Sequence, residues 1–114
     1  MQYDYIIVGQ GLAGSLLAWF ALKRNLKPLV IDRDDPRSAS RVAAGLVNPI
    51  TGRRMVKTLW ADDIIPFALN TYRDIESTLH EQFYFEKNVQ KLFKNVQQQN
   101  EWLARSSDPE YIAY

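Results

Sequence analysis

The chain of 114 residues contains no cysteine. This absence excludes disulfide bonds, thiolate zinc sites, cysteine-ligated clusters and thiol nucleophiles. It agrees with an intracellular protein, and we expect a cytoplasmic location. An excess of charge of either sign is also lacking, because the formal net charge is +1. Composition therefore provides no electrostatic basis for binding nucleic acid or an anionic membrane.

Histidine is nearly absent: His80 is the single one. No Ser–His–Asp arrangement and no metal-ligand spacing emerges, so we expect no metal site and assign no catalytic residue. The sequence also lacks a true membrane span. Residues 5–22 are mostly apolar, but Asp4 precedes them and three spaced glycines interrupt them. Such a segment is typical of a strand, a turn and a helix in a globular protein.

The first 31 residues predict a βαβ unit. Residues 3–8 form an apolar, β-rich run, as expected of a strand buried on both faces. Residues 13–24 have helical spacing of apolar side chains, and Asn25 is a suitable residue to end that helix. Pro28 opens a second strand over residues 29–31. Strand, helix and strand in this order predict two adjacent parallel strands in an α/β, Rossmann-like fold.

The remaining chain predicts a long loop followed by α and β elements. Residues 33–58 show no clear hydrophobic period and are predicted to form a loop with one short helical turn. Connections of this length are usually functional. A helix over residues 63–80 is predicted, with Asp62 or Asp63 as its cap and Pro66 in its first turn. Its apolar stripe consists of Ile65, Ala68, Tyr72, Ile75 and Leu79.

Beyond this helix, residues 83–85 and 89–93 predict two strands joined by a turn. Asn95 with Gln98 resembles a capping box that opens another helix, and residues 107–110 repeat the signal. We therefore expect two domains: residues 1–60, a dinucleotide-binding unit with its loop, and residues 61–114, the start of an α+β substrate domain. The last signal stands four residues before the final tyrosine, which predicts that the chain is the N-terminal part of a larger protein.

A glycine-rich loop joins the first predicted strand to the first helix, and it reads Gly9-Gln10-Gly11-Leu12-Ala13-Gly14. The first glycine permits a tight turn, the second lets a pyrophosphate approach the backbone, and the third allows close packing of helix and strand. The N–H groups of Leu12 and Ala13 lie at a helix start, where a negative charge is favoured. Ser15 can add a hydroxyl donor. This context predicts a dinucleotide site.

Asp32 ends the second strand, 18 positions after Gly14. A carboxylate at this place can accept both hydroxyl groups of an adenosine ribose. The same charge disfavours NADP, because a ribose 2′-phosphate would lie close to it and Arg33 alone would have to offset the repulsion. The motif does not by itself distinguish NAD from FAD.

A third segment, Val42-Ala43-Ala44-Gly45-Leu46-Val47-Asn48-Pro49, together with the glycine loop and Asp32-Arg33, resembles the D-amino-acid oxidase family of FAD-dependent oxidoreductases. That family includes glycine oxidase and sarcosine oxidase. The resemblance is clear over residues 3–58 and fainter beyond them. It implies that Gly9, Gly11, Gly14 and Ser15 hold the pyrophosphate, that Asp32 and Arg33 lie at the adenosine, and that Ala44, Gly45 and Leu46 contact the flavin ring.

The loop between residues 33 and 57 is basic, with six basic residues and two acidic ones, a local charge of +4. Arg41 is the candidate to reach the pyrophosphate. The alternative is that these charges only solvate the loop. The basic residues are Arg33, Arg37, Arg41, Arg53, Arg54 and Lys57.

The resemblance implies an oxidoreductase that uses FAD to oxidise a C–N bond of an amine or amino acid by hydride transfer. We expect this chain alone to be inactive and to bind FAD weakly or not at all, because only one βαβ unit of the crevice is visible. Two alternatives stay open. One is an NAD-binding dehydrogenase or epimerase, and the other is a cofactor-free unit that associates through its sheet as a homodimer.

Overall fold

A computed structural model describes residues 2–52 and 54–112. It divides the chain into two compact units, Met1–Val47 and Asn48–Tyr114, each of which is described by itself. The domain division predicted between residues 60 and 61 stays a prediction. Arg53, one of the basic loop residues, lies outside the described residues. No helix in the described ranges is both long and apolar enough to cross a membrane.

The first unit contains the predicted βαβ arrangement. Strand β1 spans Tyr5–Val8, helix α1 spans Leu12–Lys23 and strand β2 spans Pro28–Ile31. The strands pair in parallel, with Tyr5 opposite Pro28 and Val8 opposite Ile31. This confirms the prediction of adjacent parallel strands joined by a helix. The predicted helical turn in the following loop is α2, Ala39–Val42.

Helix α1 ends where the sequence predicts. Asn25 lies in the left-handed region, with φ of 58°. Its N–H donates to the carbonyl of Leu22, and the N–H of Leu26 donates to the carbonyl of Ala21. This pair of bonds is a Schellman motif, which satisfies carbonyls at the end of a helix and turns the chain toward β2.

Helix α1 packs on one face of the two-stranded sheet. Ile7 of β1 is 6% exposed, and its side chain approaches the Gly14 position of α1. Because side chains alternate along a strand, Ile6 and Val8 lie on the opposite face, beside their partners Leu29 and Ile31. Ile6 and Val8 are 65% and 83% exposed. The described sheet is therefore apolar on both faces, although α1 packs on one.

The second unit is built from a short hairpin and two helices. Strands β3, Ile50–Thr51, and β4, Val56–Lys57, are antiparallel, and helices α3 and α4 span Ala61–Leu79 and Val96–Ser106. The hairpin was not predicted, because strands of two residues are too short to show a period. The buried residues of the second unit are Met55, Ala61 and Tyr111, which are 1%, 1% and 9% exposed. The Tyr111 hydroxyl accepts the N–H of Lys57 at 3.1 Å.

Helix α3 confirms the predicted helix, but its start differs. The capping position is Trp60, with φ of 58° and no side-chain hydrogen bond to the helix, so Asp62 and Asp63 are not caps. They lie in the first turn, where a carboxylate still interacts favourably with the helix dipole. Pro66 lies beyond the first turn because the helix begins earlier than predicted. At the other end, His80 adopts φ of 56° and ends the helix.

The predicted hairpin over residues 83–93 is wrong, because the described chain has no strand there. One carboxylate oxygen of Glu76 accepts the N–H groups of Phe83 and Tyr84, at 2.8 and 2.7 Å. The rings of both residues lie beside Tyr72, with centroids 6.0 and 5.9 Å away. The backbone N–H groups and aromatic rings of Phe83 and Tyr84 therefore contact α3, and do not form the predicted pair of strands.

The capping signals near the end of the chain have different outcomes. Asn95 caps α4 as predicted, accepting the N–H of Gln98 at 2.9 Å. The second signal, at residues 107–110, opens no helix up to residue 112. Ser107 instead donates to the carbonyl of Leu103 at 3.1 Å, and Asp108 accepts the N–H of Glu110 at 3.0 Å. The side chains that would cap a helix thus close the end of α4 and form a turn.

We predict that Gly14→Ala destabilises the first unit by about 3 kcal/mol. A Cβ at this position would lie 1.9 Å from the backbone oxygen of Gly9, so helix and strand would have to separate. Gly11→Ala is the matched control. Its Cβ would meet the Ser40 hydroxyl at 3.0 Å, and that side chain can rotate away. We expect a cost below about 1 kcal/mol for the control. Urea unfolding measures both, and equal midpoints for the two variants would contradict the close approach.

Candidate cofactor-binding site

The glycine loop begins with a turn that a side chain would strain. Gly9 has φ of +97°. Its N–H donates to the carbonyl of Ile31 at 2.8 Å, which continues the pairing of β1 and β2 by one residue. Gly11 then stands at the capping position of α1 without a side chain to cap the helix. The loop therefore leads directly from the carboxyl end of β1 to an exposed helix N-terminus.

The N-terminus of α1 presents backbone donors. The N–H of Leu12 donates to the hydroxyl of Ser40 at 3.0 Å. Helix geometry gives the N–H groups of Ala13 and Gly14 no acceptor within the helix, so they suit an anion. The Ser15 hydroxyl lies 3.5 Å from the carbonyl of Gln10, on the same loop. Backbone donors and hydroxyl groups thus surround the loop where the sequence predicts the pyrophosphate.

Asp32 lies against this loop. One carboxylate oxygen accepts the N–H of Gln10 at 2.6 Å, and the other accepts the N–H of Asp34 at 2.7 Å. The bond from Gln10 lowers the pKa of Asp32 most, followed by the bond from Asp34, and the charges of Arg41 and Arg33 lower it further. The carboxylate therefore stays ionised at neutral pH. Each oxygen keeps a lone pair for a further donor, such as a ribose hydroxyl.

Three arginines of the following loop, Arg33, Arg37 and Arg41, lie beside neighbouring carboxylates. Arg33 lies 3.6 Å from the carboxylate of Asp35, which also lies near Arg37. Arg41 forms a hydrogen-bonded ion pair with Asp34. The local excess of positive charge is therefore partly neutralised within the loop, and Arg41 is tied to a residue that also bonds to Asp32.

The segment predicted to contact the flavin follows α2 and is exposed. Ala44, Gly45 and Leu46 are all exposed, with Leu46 at 77%. Gly45 has φ of +68° and no atom within 4 Å of the place where a Cβ would lie. Its requirement for glycine is therefore conformational within the described chain, and its backbone is open to a flat ligand.

Sequence reasoning missed two parts of this arrangement. Ser40 lies 28 positions from Leu12, and no local pattern pairs a hydroxyl with a distant helix N-terminus. The N–H of Gln10 was missed because the glycine motif allows any residue at that position. In the structure, the backbone of Gln10 donates to Asp32.

Taken together, these groups fit the adenosine diphosphate portion of a dinucleotide. Gly11 leaves the backbone accessible, the start of α1 supplies donors for phosphate oxygens, and Asp32 supplies an ionised acceptor for hydroxyl groups. A dinucleotide links its phosphate covalently to its ribose, and here the hydrogen bond from the Gln10 N–H to Asp32 holds the loop and the acid beside each other. The residues present are therefore chemically suited to such a ligand.

We predict that acidification weakens the fold partly through Asp32. Its folded-state pKa lies below the ordinary value, so its contribution to stability is present above the unfolded-state pKa and is lost as pH falls through the folded-state pKa. Urea unfolding at neutral pH and at about pH 3 should show a smaller loss of stability on acidification for Asp32→Asn than for the wild type. The same loss in both proteins would mean that the two backbone bonds do not hold the carboxylate.

Comparison with known proteins identifies a matching family and a relative of this chain. The family described as FAD dependent oxidoreductase (DAO) matches residues 4–110. An uncharacterized oxidoreductase, YurR of Bacillus subtilis (strain 168), is 42% identical over 51 residues, which is 45% of this chain and 14% of that protein. The present chain therefore aligns with a small part of a longer relative. No solved structure matches it significantly.

The family match extends from the residue before β1 to the turn after α4, and includes the glycine loop, Asp32 and the exposed segment around Gly45. It covers nearly all of the chain, which therefore belongs to the FAD dependent oxidoreductase (DAO) family.

Proposed function

We propose that this chain binds the adenosine diphosphate portion of FAD, within an oxidoreductase that oxidises a C–N bond of an amine or amino acid. The observation that carries the proposal is the bond of 2.6 Å between the Gln10 N–H and Asp32. It brings an ionised carboxylate beside the start of α1, so that one ligand can contact both. Membership of an FAD-dependent family favours FAD over NAD as that ligand.

The phosphate loop, residues 9–14, binds the pyrophosphate in this proposal. The N–H groups of Ala13 and Gly14 donate to phosphate oxygens, and the dipole of α1 adds a favourable potential. Gly11 keeps the backbone accessible. Ser15 and Arg41 supply a hydroxyl and a guanidinium, and a guanidinium suits a phosphate because it can donate two parallel hydrogen bonds.

Asp32 accepts the hydroxyl groups of the adenosine ribose, with Arg33 beside the adenosine. The backbone bonds from Gln10 and Asp34 fix the orientation of the carboxylate before a ligand binds. They also keep it charged by lowering its pKa. A ligand with a phosphate on the ribose 2′-oxygen would be repelled by that charge, so the site discriminates against NADP-type ligands.

At the flavin end, the backbone of Ala44, Gly45 and Leu46 lies against the ring in this proposal. The flavin supplies the acceptor for the hydride that leaves the substrate carbon. The chain's contribution would be electrostatic, because backbone N–H groups of Ala44, Gly45 and Leu46 would stabilise negative charge on a bound flavin. The left-handed conformation of Gly45 exposes its backbone for this contact.

The substrate and the full active site belong to the whole protein. The aligned segment covers 14% of the relative YurR, so the remainder of such a protein contributes most of its residues. We propose that the helix α3 begins the substrate domain. We further propose that this chain alone binds FAD weakly and does not turn over an amine, because one βαβ unit forms one wall of a dinucleotide crevice.

We predict that the purified chain binds FAD weakly and that Asp32→Ala lowers its affinity by about tenfold, because hydrogen bonds to a charged group are lost. Equilibrium dialysis, followed by the visible absorption of FAD, measures the affinity. Asp63→Ala is the matched control, since it removes a carboxylate from the first turn of α3. The proposal fails if neither the wild type nor the control binds FAD, or if Asp32→Ala binds it equally well.

We also propose that the chain forms a homodimer through the uncovered face of its sheet. Ile6, Val8, Leu29 and Ile31 share that face, and parallel sheets are normally covered on both sides. A second copy would present the same aliphatic surface, as in a two-fold symmetric interface. Sedimentation equilibrium should give twice the chain mass, and Val8→Lys should give a monomer that keeps its helical circular dichroism. A wild-type monomer at high concentration would refute this proposal.

A further inference from the structure

Asp34 joins two parts of the proposed site. Its φ is 55°, in the left-handed region that Asp and Asn adopt more readily than most other L-residues. Its N–H donates to Asp32 at 2.7 Å, and its carboxylate accepts a hydrogen bond from the guanidinium of Arg41. One residue thus contacts the proposed ribose-binding acid through its backbone and the helix α2 through its side chain.

The ion pair continues to the phosphate loop through α2. Arg41 follows Ser40, and the Ser40 hydroxyl accepts the N–H of Leu12 at 3.0 Å. A helix of four residues has little stability of its own, so tertiary contacts decide where it lies. The pair between Asp34 and Arg41 therefore helps to hold Ser40 at the N-terminus of α1.

The ion pair with Asp34 leaves other N–H groups of Arg41 able to donate hydrogen bonds to an anion. Asp34 engages the Nη2 atom of Arg41, whereas a guanidinium has five N–H donors. The charge of Arg41 also contributes to the lowered pKa of Asp32, which means that the guanidinium is within electrostatic range of that acid. An exposed arginine loses rotamer freedom when it binds a ligand, and a carboxylate that already restricts it reduces this entropic cost.

We propose that Asp34 is a positioning residue for the cofactor diphosphate: it orients Arg41 and holds α2 beside the phosphate loop. The inference rests on the proposed function, because it takes the ligand of this loop to be a diphosphate. The side chains of Asp34 and Arg41 are 81% and 53% exposed, and ion pairs of this exposure contribute little to folding. The effect of Asp34 should therefore appear in ligand binding and not in global stability.

The test uses the full chain, ADP as the probe, and the variants D34N, R41Q and D34N/R41Q. D34N is informative because Asn tolerates the left-handed conformation and keeps the backbone bond to Asp32. Calorimetric titration should show an ADP affinity lowered by about threefold to tenfold in D34N and in R41Q. The double variant should bind no more weakly than R41Q, because both changes break the same connection. Thermal unfolding midpoints should stay within about 2 °C of the wild type.

Amide hydrogen exchange without ligand gives a second readout. The Leu12 amide should exchange faster in D34N than in the wild type. The S40A variant, which removes the acceptor of this amide, gives the reference rate for a broken bond. If the wild type binds ADP and D34N binds it equally well or more tightly, the inference is overturned but the proposed function is not. Tighter binding would mean that Asp34 withholds Arg41 from the diphosphate. Unchanged exchange of Leu12 in D34N also overturns it. A wild-type chain that does not bind ADP refutes the proposed function, and the inference with it.

Discussion

The hydrogen bond from the Gln10 N–H to the carboxylate of Asp32 is the contact on which the candidate site depends. It joins the loop after β1 to the residue after β2, and so holds the proposed phosphate-binding and ribose-binding groups beside each other. The parallel register of the two strands makes this possible, because it brings both carboxyl ends to the same edge of the sheet. A shift of that register would separate the acid from the loop and remove the basis for the proposed dinucleotide site.

Close packing around the glycines also constrains how α1 lies against the loop after β1. Gly14 allows α1 to approach the Gly9 carbonyl so closely that no side chain fits between them. Gly11 has more space and faces the movable Ser40 hydroxyl. The three glycines of the motif therefore differ in kind: Gly9 serves the turn, Gly14 serves the packing of helix on strand, and Gly11 serves access to the backbone. We therefore expect mutations in this single loop to separate stability from the proposed cofactor binding.

The chain's second half shows how tertiary contacts override local patterns. Phe83 and Tyr84 belong to a β-rich run, but Glu76 takes their N–H groups and Tyr72 packs beside their rings. Similarly, a capping signal at Ser107 is used to close α4 because Leu103 offers a nearby carbonyl. At Asn95 the signal acts as its pattern predicts, and the side chain accepts the N–H of Gln98.

The sequence by itself determined the βαβ unit, the glycine loop and the choice of Asp32, because each follows from hydrophobic period or from the conformational freedom of glycine over short distances. It also determined the resemblance that the family match confirms. The tertiary structure alone decided the hydrogen bonds of the Ser40 hydroxyl and of the Gln10 backbone. Their partners lie 28 and 22 positions away in the chain, and hydrogen bonds between exposed groups at that separation leave no periodic or compositional trace.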